Sequence, residues 1–278
     1  MKSKDIRILI TGGTGFLGYQ IVKQLIKQNY KNIKLVVRRK PKLIKFDRPI
    51  KFKFSKDIFL ESNFSLKKML KDIDIVIHTA WYVNPKDYLH SKKNLDCLNG
   101  TINLAKAASE CKVKKFVGIG TCFEYDTKKK FLSTKTNLSP ETLYSACKAS
   151  VFFILSRLLN HKEIIFKWCR VFYLYGENEK SQRLFPIIQN KLKNNEIINL
   201  GEGKQIRDYI DVKDAARMII NFSMNNKKGA KNICTGIPIS IKNFALNVAK
   251  QLGKKKLLVF KKKRMKRSFD PDFIVGVK

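Results

Sequence analysis

Tyr144-Ser145-Ala146-Cys147-Lys148 sets a phenol and an ammonium at i and i+4. On a helix this spacing puts both side chains on one face. An ammonium beside a phenol favours the phenolate and lowers its pKa, making Tyr144 a usable proton donor or acceptor near neutral pH, with Lys148 tuning it. Upstream, Val117-Gly118-Ile119-Gly120-Thr121 ends an apolar run on a hydroxyl. A hydroxyl in that place can help polarise a carbonyl while the tyrosine supplies the proton. Thr121, Tyr144 and Lys148 are the candidate catalytic residues.

A second set of residues could hold a dinucleotide. Thr11-Gly12-Gly13-Thr14-Gly15-Phe16-Leu17-Gly18 has glycines at a G-x-x-G-x-x-G spacing, directly after the apolar run Ile6 to Ile10 and at the start of the helical pattern Phe16 to Ile26. Small residues let the backbone approach a pyrophosphate, whose charge is met by N–H groups and the positive end of the helix dipole. Gly12, Thr14, Gly15, Phe16, Leu17 and Gly18 are therefore candidate cofactor contacts. The end of the next strand, Val37-Arg38-Arg39-Lys40, lacks a carboxylate to bind a ribose 2′-hydroxyl. Arg38 and Arg39 sit where a 2′-phosphate would lie, which favours NADP over NAD. The competing explanation is that they are ordinary surface cations of a lysine-rich chain. Asp57 is a candidate partner for the adenine amino group, or a solvated loop aspartate.

The elements that must position these groups follow from periodicity. Strand-like apolar runs at Ile6 to Ile10, Ile33 to Val37, Ile73 to His78, Lys115 to Ile119 and Phe166 to Phe172 alternate with helical candidates at Phe16 to Ile26, Asn94 to Cys111 and Leu143 to Leu159. This alternation predicts an α/β fold, a Rossmann-type doubly wound parallel sheet. Ligands bind at the carboxyl edge of such sheets, where Thr121 is expected. Beyond about Val171 the rhythm loosens, with Pro186, Gly201, Gly203, Gly229, Gly236 and Pro238 punctuating shorter elements. The sequence thus predicts a dinucleotide-binding domain over 1–172 and 206–228, and a small substrate-binding lobe over 173–205 and 229–278 sharing a cleft with it.

Composition bounds the function further. The 278 residues suffice for one large α/β unit with a small lobe. No stretch approaches the roughly 18 uninterrupted apolar residues of a membrane helix, and Ile6 to Ile10 is too short for a signal-peptide core, so no membrane insertion and a cytoplasmic location are expected. Cys97, Cys111, Cys122, Cys147, Cys169 and Cys234 show no paired spacing and are expected to be reduced thiols; with three scattered histidines they predict no metal site. The formal net charge of +36 attracts polyanions. The lysines run end to end, however, and accompany an excess of Ile, Asn and Phe, so no dedicated nucleic-acid site is expected. The densest cluster, Lys254 to Lys256, Lys261 to Arg264 and Lys266 to Arg267, is expected to be a solvated face.

With these motifs in order, the chain resembles the extended short-chain dehydrogenase/reductases, also called NAD-dependent epimerase/dehydratases, over most of its length. Thr11 to Gly18 resembles the family's cofactor turn. Ile77-His78-Thr79-Ala80-Trp81 resembles the segment beside the nicotinamide, implying cofactor contacts at Thr79, Ala80 and Trp81. Gly120-Thr121-Cys122-Phe123-Glu124-Tyr125 is similar to the catalytic strand end, and Tyr144 to Lys148 to the catalytic pair, whose lysine also binds the nicotinamide ribose. Arg170 to Gly176 is like the arginine strand leading to a Tyr-Gly turn. Gln205 to Val212 resembles the segment whose arginine, here Arg207, neutralises the diphosphate of a nucleotide sugar. A homodimer through helices flanking the catalytic strand is implied as well. Two departures stand out: Cys97 lies where many relatives carry asparagine, and the chain ends at Val275-Gly276-Val277-Lys278, before a closing L-G-W element, implying an altered substrate lobe.

The resemblance also narrows the reaction. Family dehydratases place an Asp-Glu pair after the threonine, where this chain has Cys122 and Phe123, so dehydration is not expected. Reduction consumes NADPH at each turnover whereas an epimerase retains NAD, and Arg38-Arg39 therefore favours reduction. The segments around Asn94 to Gly100 and Gly118 to Tyr125 look like a subgroup of deoxysugar nucleotide synthesis in surface polysaccharide pathways, implying a 4-keto-6-deoxyhexose reductase with Thr121, Cys122 and Arg207 on the substrate. The alternatives are an NAD-dependent nucleotide-sugar 4-epimerase, a combined epimerase-reductase using Cys122, and a non-catalytic NADP-sensing or RNA-associated protein.

Overall fold

Ile8, Leu9 and Ile10 are fully shielded from solvent at the centre of a seven-stranded sheet. We number its strands β1 (Arg7–Thr11), β2 (Asn32–Val37), β3 (Lys51–Phe54), β4 (Ile75–His78), β5 (Lys115–Thr121), β6 (Ile165–Val171) and β7 (Gly229–Ile233). They lie side by side in the order β7-β6-β5-β4-β1-β2-β3, and every pair is parallel. The computed structural model describes residues 3–40, 46–262, 269 and 271–278.

Both faces of a parallel sheet are covered, which is why β1 reads as an unbroken apolar run rather than an alternation. Ile8 and Ile10 pack on one face with Ile21, Val22 and Leu25 of α1 (Phe16–Lys27) and Ile219 and Ile220 of α6 (Val212–Met224). Leu9 points the other way, into a core shared with α2 (Asn63–Leu70), α3 (Lys93–Glu110) and α4 (Leu143–Leu158). Fully burying each such side chain is worth roughly 1.5–3 kcal/mol. The chain winds from β1 to β3 in one direction and returns to β4 on the other side of β1. The strand order thus reverses between β1 and β4, and the crevice outside their carboxyl ends is where such folds bind ligands.

The second lobe has its own small core. Ile188 and Leu192 of α5 (Leu184–Lys193) meet Phe244, Ala245 and Val248 of α7 (Ile241–Gln251). A four-stranded sheet runs Ile239–Ser240, Ile206–Arg207, Phe273–Gly276, Phe131–Leu132. Two parallel pairs complete the lobe: Tyr209–Asp211 with Tyr173–Tyr175, and Leu258–Phe260 with Ile198–Leu200.

The predicted domain limits differ from this architecture at three places. Residues 229–233 belong to the large sheet rather than the second lobe, because β7 pairs in register with β6 and buries Asn232 and Ile233 against it. Ile206–Arg207 and Phe131–Leu132 lie in the small sheet, although both fall inside the predicted dinucleotide domain. Strands this short carry no periodic signal. Of the basic cluster, Lys255 and Lys256 are exposed, Lys254 donates to the Leu192 carbonyl at 2.8 Å, and Lys263 to Arg267 lie outside the described residues. Among the described residues no helix is long and apolar enough to cross a membrane.

Candidate active site

The glycine turn joins β1 to α1. Gly12 has φ +69, and a Cβ there would come within 2.6 Å of the Ala80 nitrogen and 2.7 Å of the Thr79 hydroxyl. A Cβ on Gly18 would collide with the Gly12 carbonyl oxygen and sit 2.8 Å from the same hydroxyl. These glycines let the turn pack directly on the start of the segment after β4. Gly15 is the N-cap of α1, and no side chain caps that helix. Its first amides therefore face the crevice without an acidic or hydroxyl side chain competing for them, the arrangement that suits a diphosphate. Thr14 and Gly15 are exposed, Phe16 and Leu17 half-buried. The cradle fits a dinucleotide.

A buried hydrogen-bond chain fixes this cradle to the sheet. Thr11 Oγ1 and His78 Nδ1 lie 2.7 Å apart, and His78 Nε2 is 2.9 Å from Thr101 Oγ1. Thr101 gives its own hydroxyl proton to the Cys97 carbonyl at 2.6 Å, so its oxygen must accept from His78 Nε2. Nδ1 is then the acceptor, and Thr11 donates to it. Burial, followed by the charge of Lys148, brings His78 from 6.5 down to about 3. Thr79 donates to the Thr11 carbonyl at 2.7 Å. His78 and Thr101 were not singled out from the sequence; a histidine closing an apolar strand was the available signal.

At the adenosine end, Arg38 and Arg39 are exposed after β2. Ser55 bonds through its N–H to the Val37 carbonyl at 3.1 Å, and its buried hydroxyl has no partner among the described residues. Asp57 is exposed and accepts the Phe59 N–H at 3.0 Å, turning its carboxylate towards its own loop.

Thr121 ends β5 and caps the following turn, accepting the Phe123 N–H at 3.3 Å. Tyr144 and Lys148 are buried on the first turns of α4, which opens with a Thr142–Ser145 capping box. The Thr121 side chain neighbours the Tyr144 phenol closely enough to lower its pKa. Lys148 Nζ donates to the Ile119 carbonyl at 2.6 Å and stands 3.6 Å from the ring centroid of Trp81. The three predicted groups thus meet at the carboxyl edge of β5. Their electrostatics differ from the prediction: burial and then Tyr88 push the Tyr144 phenol well above its ordinary value, while Thr121 pulls the other way. Burial lowers Lys148 from 10.5 to about 7. Desolvation outweighs the mutual stabilisation expected of the pair.

Glu124 is the residue that motif spacing did not single out. It accepts the Thr121 N–H at 2.7 Å, the Trp168 indole N–H at 3.0 Å and Arg170 Nε at 2.6 Å. Arg170 donates to the Tyr125 hydroxyl at 3.1 Å, and that hydroxyl donates to Asn232 Oδ1 at 2.6 Å. Asn232 in turn donates to the carbonyls of Leu132 at 2.7 Å and Val277 at 3.0 Å. A continuous polar chain therefore runs from the candidate catalytic threonine to the small sheet.

On the substrate side, Cys122 is buried, which pushes its thiol well above its ordinary range. Arg207 is buried, lies 5.1 Å over the Tyr173 ring, and donates to its own strand at the Ile206 carbonyl, 2.8 Å away. Its neighbour Asp208 pins the lobe by accepting from the Thr235 hydroxyl at 2.6 Å, the N–H groups of Thr235 and Gly236 at 2.8 Å, and the Gly276 N–H at 3.2 Å. Cys97 accepts the Tyr82 N–H at 3.3 Å, and burial raises its thiol to about 11.

A family model described as the NAD dependent epimerase/dehydratase family matches residues 8–234. The chain is 22% identical over 249 residues to dTDP-6-deoxy-L-talose 4-dehydrogenase (NAD(+)) of Aggregatibacter actinomycetemcomitans, covering 85% of this chain and 87% of that relative. It is 26% identical over 283 residues to dTDP-4-dehydro-6-deoxyglucose reductase of Escherichia coli, covering 94% and 86%. Among solved structures, a UDP-N-acetylglucosamine 4-epimerase from Methanobrevibacter ruminantium M1 in complex with UDP-N-acetylmuramic acid superposes with a TM-score of 0.86 over 99% of this chain and 90% of that one. At 22% identity this last likeness shows the fold.

Proposed function

The chain belongs to the NAD dependent epimerase/dehydratase family, and from that premise we propose that it reduces a nucleotide-activated 4-keto-6-deoxy sugar with NADPH. The observation that carries this reading is the Tyr144 phenol, buried beside Thr121 at the carboxyl edge of β5 and held in its protonated form by burial. Reduction of a ketone needs a proton donor at the carbonyl oxygen, and a neutral phenol is one.

When bound, the dinucleotide supplies the hydride. Tyr144 gives its proton to the oxygen that becomes the new hydroxyl, and Thr121 hydrogen-bonds the same oxygen. Lys148, beside Tyr144 on α4, tunes the phenol and holds the nicotinamide ribose, and the phenolate left on Tyr144 regains its proton from solvent before the next turnover. Gly12, Thr14, Gly15, Phe16, Leu17 and Gly18 cradle the diphosphate, and Thr79, Ala80 and Trp81 flank the reacting end. Arg38 and Arg39, exposed after β2, receive the 2′-phosphate, and Asp57 lies near the adenine. Arg207 in the second lobe pairs with the substrate diphosphate, and Cys122 lines the sugar pocket. A second copy of the chain covers the exposed Leu95, Phe153 and Ile154 on α3 and α4, which gives a homodimer.

The experiment is to incubate the purified chain with NADPH or NADH and a dTDP-4-keto-6-deoxyhexose, and to follow cofactor oxidation and product by mass spectrometry. NADPH-dependent formation of a 6-deoxyhexose nucleotide is expected; tightly retained NAD with exchange at C4 and no net reduction would replace this reading by 4-epimerisation. The NAD(+) in the name of the Aggregatibacter relative favours a second reading in which the same reduction uses NADH, and the two cofactors tested side by side separate them.

A further inference from the structure

Asn94, on the first turn of α3, is completely buried, and nothing in the motif pattern assigns it a task. Its amide makes three hydrogen bonds. Oδ1 accepts the indole N–H of Trp81 at 2.8 Å, while Nδ2 donates to the carbonyls of Tyr88 at 2.7 Å and Ser91 at 2.8 Å. Only an amide presents an acceptor and two donors together at one side-chain end. Two of the residues it ties together, Trp81 and Tyr88, converge on the catalytic pair. The Trp81 ring covers the Lys148 ammonium at 3.6 Å and meets the Tyr144 ring edge-on at 6.4 Å. Tyr88 packs edge-on against Tyr144 at 5.1 Å, and the next carbonyl, Leu89, accepts the Tyr144 N–H at 3.0 Å.

We propose that Asn94 is a positioning residue acting through Trp81: it locks the indole face over the Lys148 ammonium and so sets the charge state of that lysine. The inference rests on the roles proposed above for Tyr144 and Lys148. Its physical basis is that Lys148 has been taken out of water with one strong acceptor, the Ile119 carbonyl. An ammonium so placed depends on whatever else can meet its charge, and an aromatic face is most effective when desolvated. The other ionisable groups facing Lys148 are Cys97 on α3, Glu124 on the turn after β5, Cys147 on its own helix and His78 on β4. Burial raises both Cys97 and Cys147, so these thiols remain neutral near neutral pH, and Glu124 is already engaged by Arg170. Trp168 stands farther off, at 5.8 Å. Beyond the Ile119 carbonyl, Trp81 is therefore the nearest group among the described residues able to stabilise the charged form, and its orientation is set by Asn94.

The test is a titration of Lys148 by NMR in the full chain carrying 13Cε-labelled lysine, with Lys148→Arg identifying the signal. Trp81→Leu and Asn94→Ala are expected to move the Lys148 midpoint down by about one pH unit, while Trp81→Phe, which keeps an aromatic face, retains most of the wild-type midpoint. Variants that melt earlier yet titrate at the wild-type pH would overturn the proposal in favour of a purely structural role. So would a Trp81→Phe midpoint as low as that of Trp81→Leu. If Asn94→Ala does not fold, the two Trp81 variants decide the indole's part, and Asn94→Ser, which keeps one donor and one acceptor, tests the lock with a smaller shift expected. The titration is read without turnover, so its outcome is independent of whether the chain reduces a keto sugar.

Discussion

Glu124 closes on Arg170 at 2.6 Å with both side chains almost wholly withdrawn from solvent, and the same carboxylate receives the backbone N–H of Thr121. The ion pair is thus built into the strand end that presents the candidate catalytic hydroxyl. Removing one partner of such a pair leaves an uncompensated buried charge, at a cost of about 3–5 kcal/mol. Glu124→Gln is accordingly expected to lower the unfolding free energy by an amount in that range, read from the denaturant midpoint, and to slow turnover through misplacement of Thr121. A midpoint within experimental error of the wild type would show that Arg170 finds another partner.

The glycines of β5 answer to the same network. A Cβ on Gly120 would run into the Trp168 indole nitrogen and the Glu124 carboxylate, and one on Gly118 into the Trp168 ring. Gly120→Ala is expected to cost about 1–3 kcal/mol by overpacking, and to reduce activity because Glu124 must move. Thermal denaturation of Gly118→Ala and Gly120→Ala checks this: both should melt earlier, and only Gly120→Ala presses on the carboxylate that holds Thr121.

How much of this could be seen in the chain alone depends on the range of the signal. The strand, glycine turn and helix at Arg7–Lys27 are local, and their apolar run, small residues and helical spacing are adjacent in sequence. The convergence of Thr121, Tyr144 and Lys148 was legible because a strand end and a helix each carried a motif. β3 and α2 were missed: Lys51–Phe54 is an edge strand with two lysines, and Asn63–Leu70 is short. His78 and Glu124 act through partners far away in sequence, Asn94 acts through nearby residues at spacings that no helix or strand period marks, and a buried polar residue looks the same as a solvated one until its partners are placed. The sign of the Tyr144–Lys148 electrostatics failed for the same reason, since depth of burial decides it and spacing does not encode depth.

Tyr144→Phe removes the proposed proton donor and leaves the ring that packs against Trp81 and Tyr88. The expected result is a loss of at least about 100-fold in kcat, with dinucleotide affinity changed less than about threefold, because the cradle is formed by other residues. Single-turnover kinetics together with equilibrium binding of NADPH separate the two quantities. Near-wild-type turnover would remove Tyr144 from the chemistry.

On the proposed reading Arg38 and Arg39 set cofactor choice through charge, since both side chains are exposed. Arg38→Ala combined with Arg39→Ala is expected to raise the KM for NADPH about tenfold or more, equivalent to roughly 1.4 kcal/mol, while leaving the KM for NADH within a factor of two. The effect should shrink as salt rises, because exposed charges are screened within about 10 Å at 0.1 M. Equal changes for the two cofactors would mean that the arginines are ordinary surface cations.

His78 predicts how the fold responds to acid. It is neutral in the folded chain, with its value brought from 6.5 to about 3 by burial and then by Lys148. Below 6.5 the unfolded chain binds a proton that the folded chain refuses until about 3. The stabilisation is therefore complete above 6.5 and is lost as pH falls through that window, up to about 5 kcal/mol in all. His78→Gln should be less stable at neutral pH, because Thr11 and Thr101 lose their bridging ring, yet its stability should fall less steeply between pH 6.5 and 3. Asp74, held at about 2 chiefly by its hydrogen bonds to Arg7, gives both proteins the same additional acid dependence, so the difference between their denaturant midpoints isolates the histidine. Parallel curves for the two proteins would mean that His78 is protonated in the fold, and Thr11 would then accept from Nδ1 instead of donating to it, with Thr101 still accepting from Nε2.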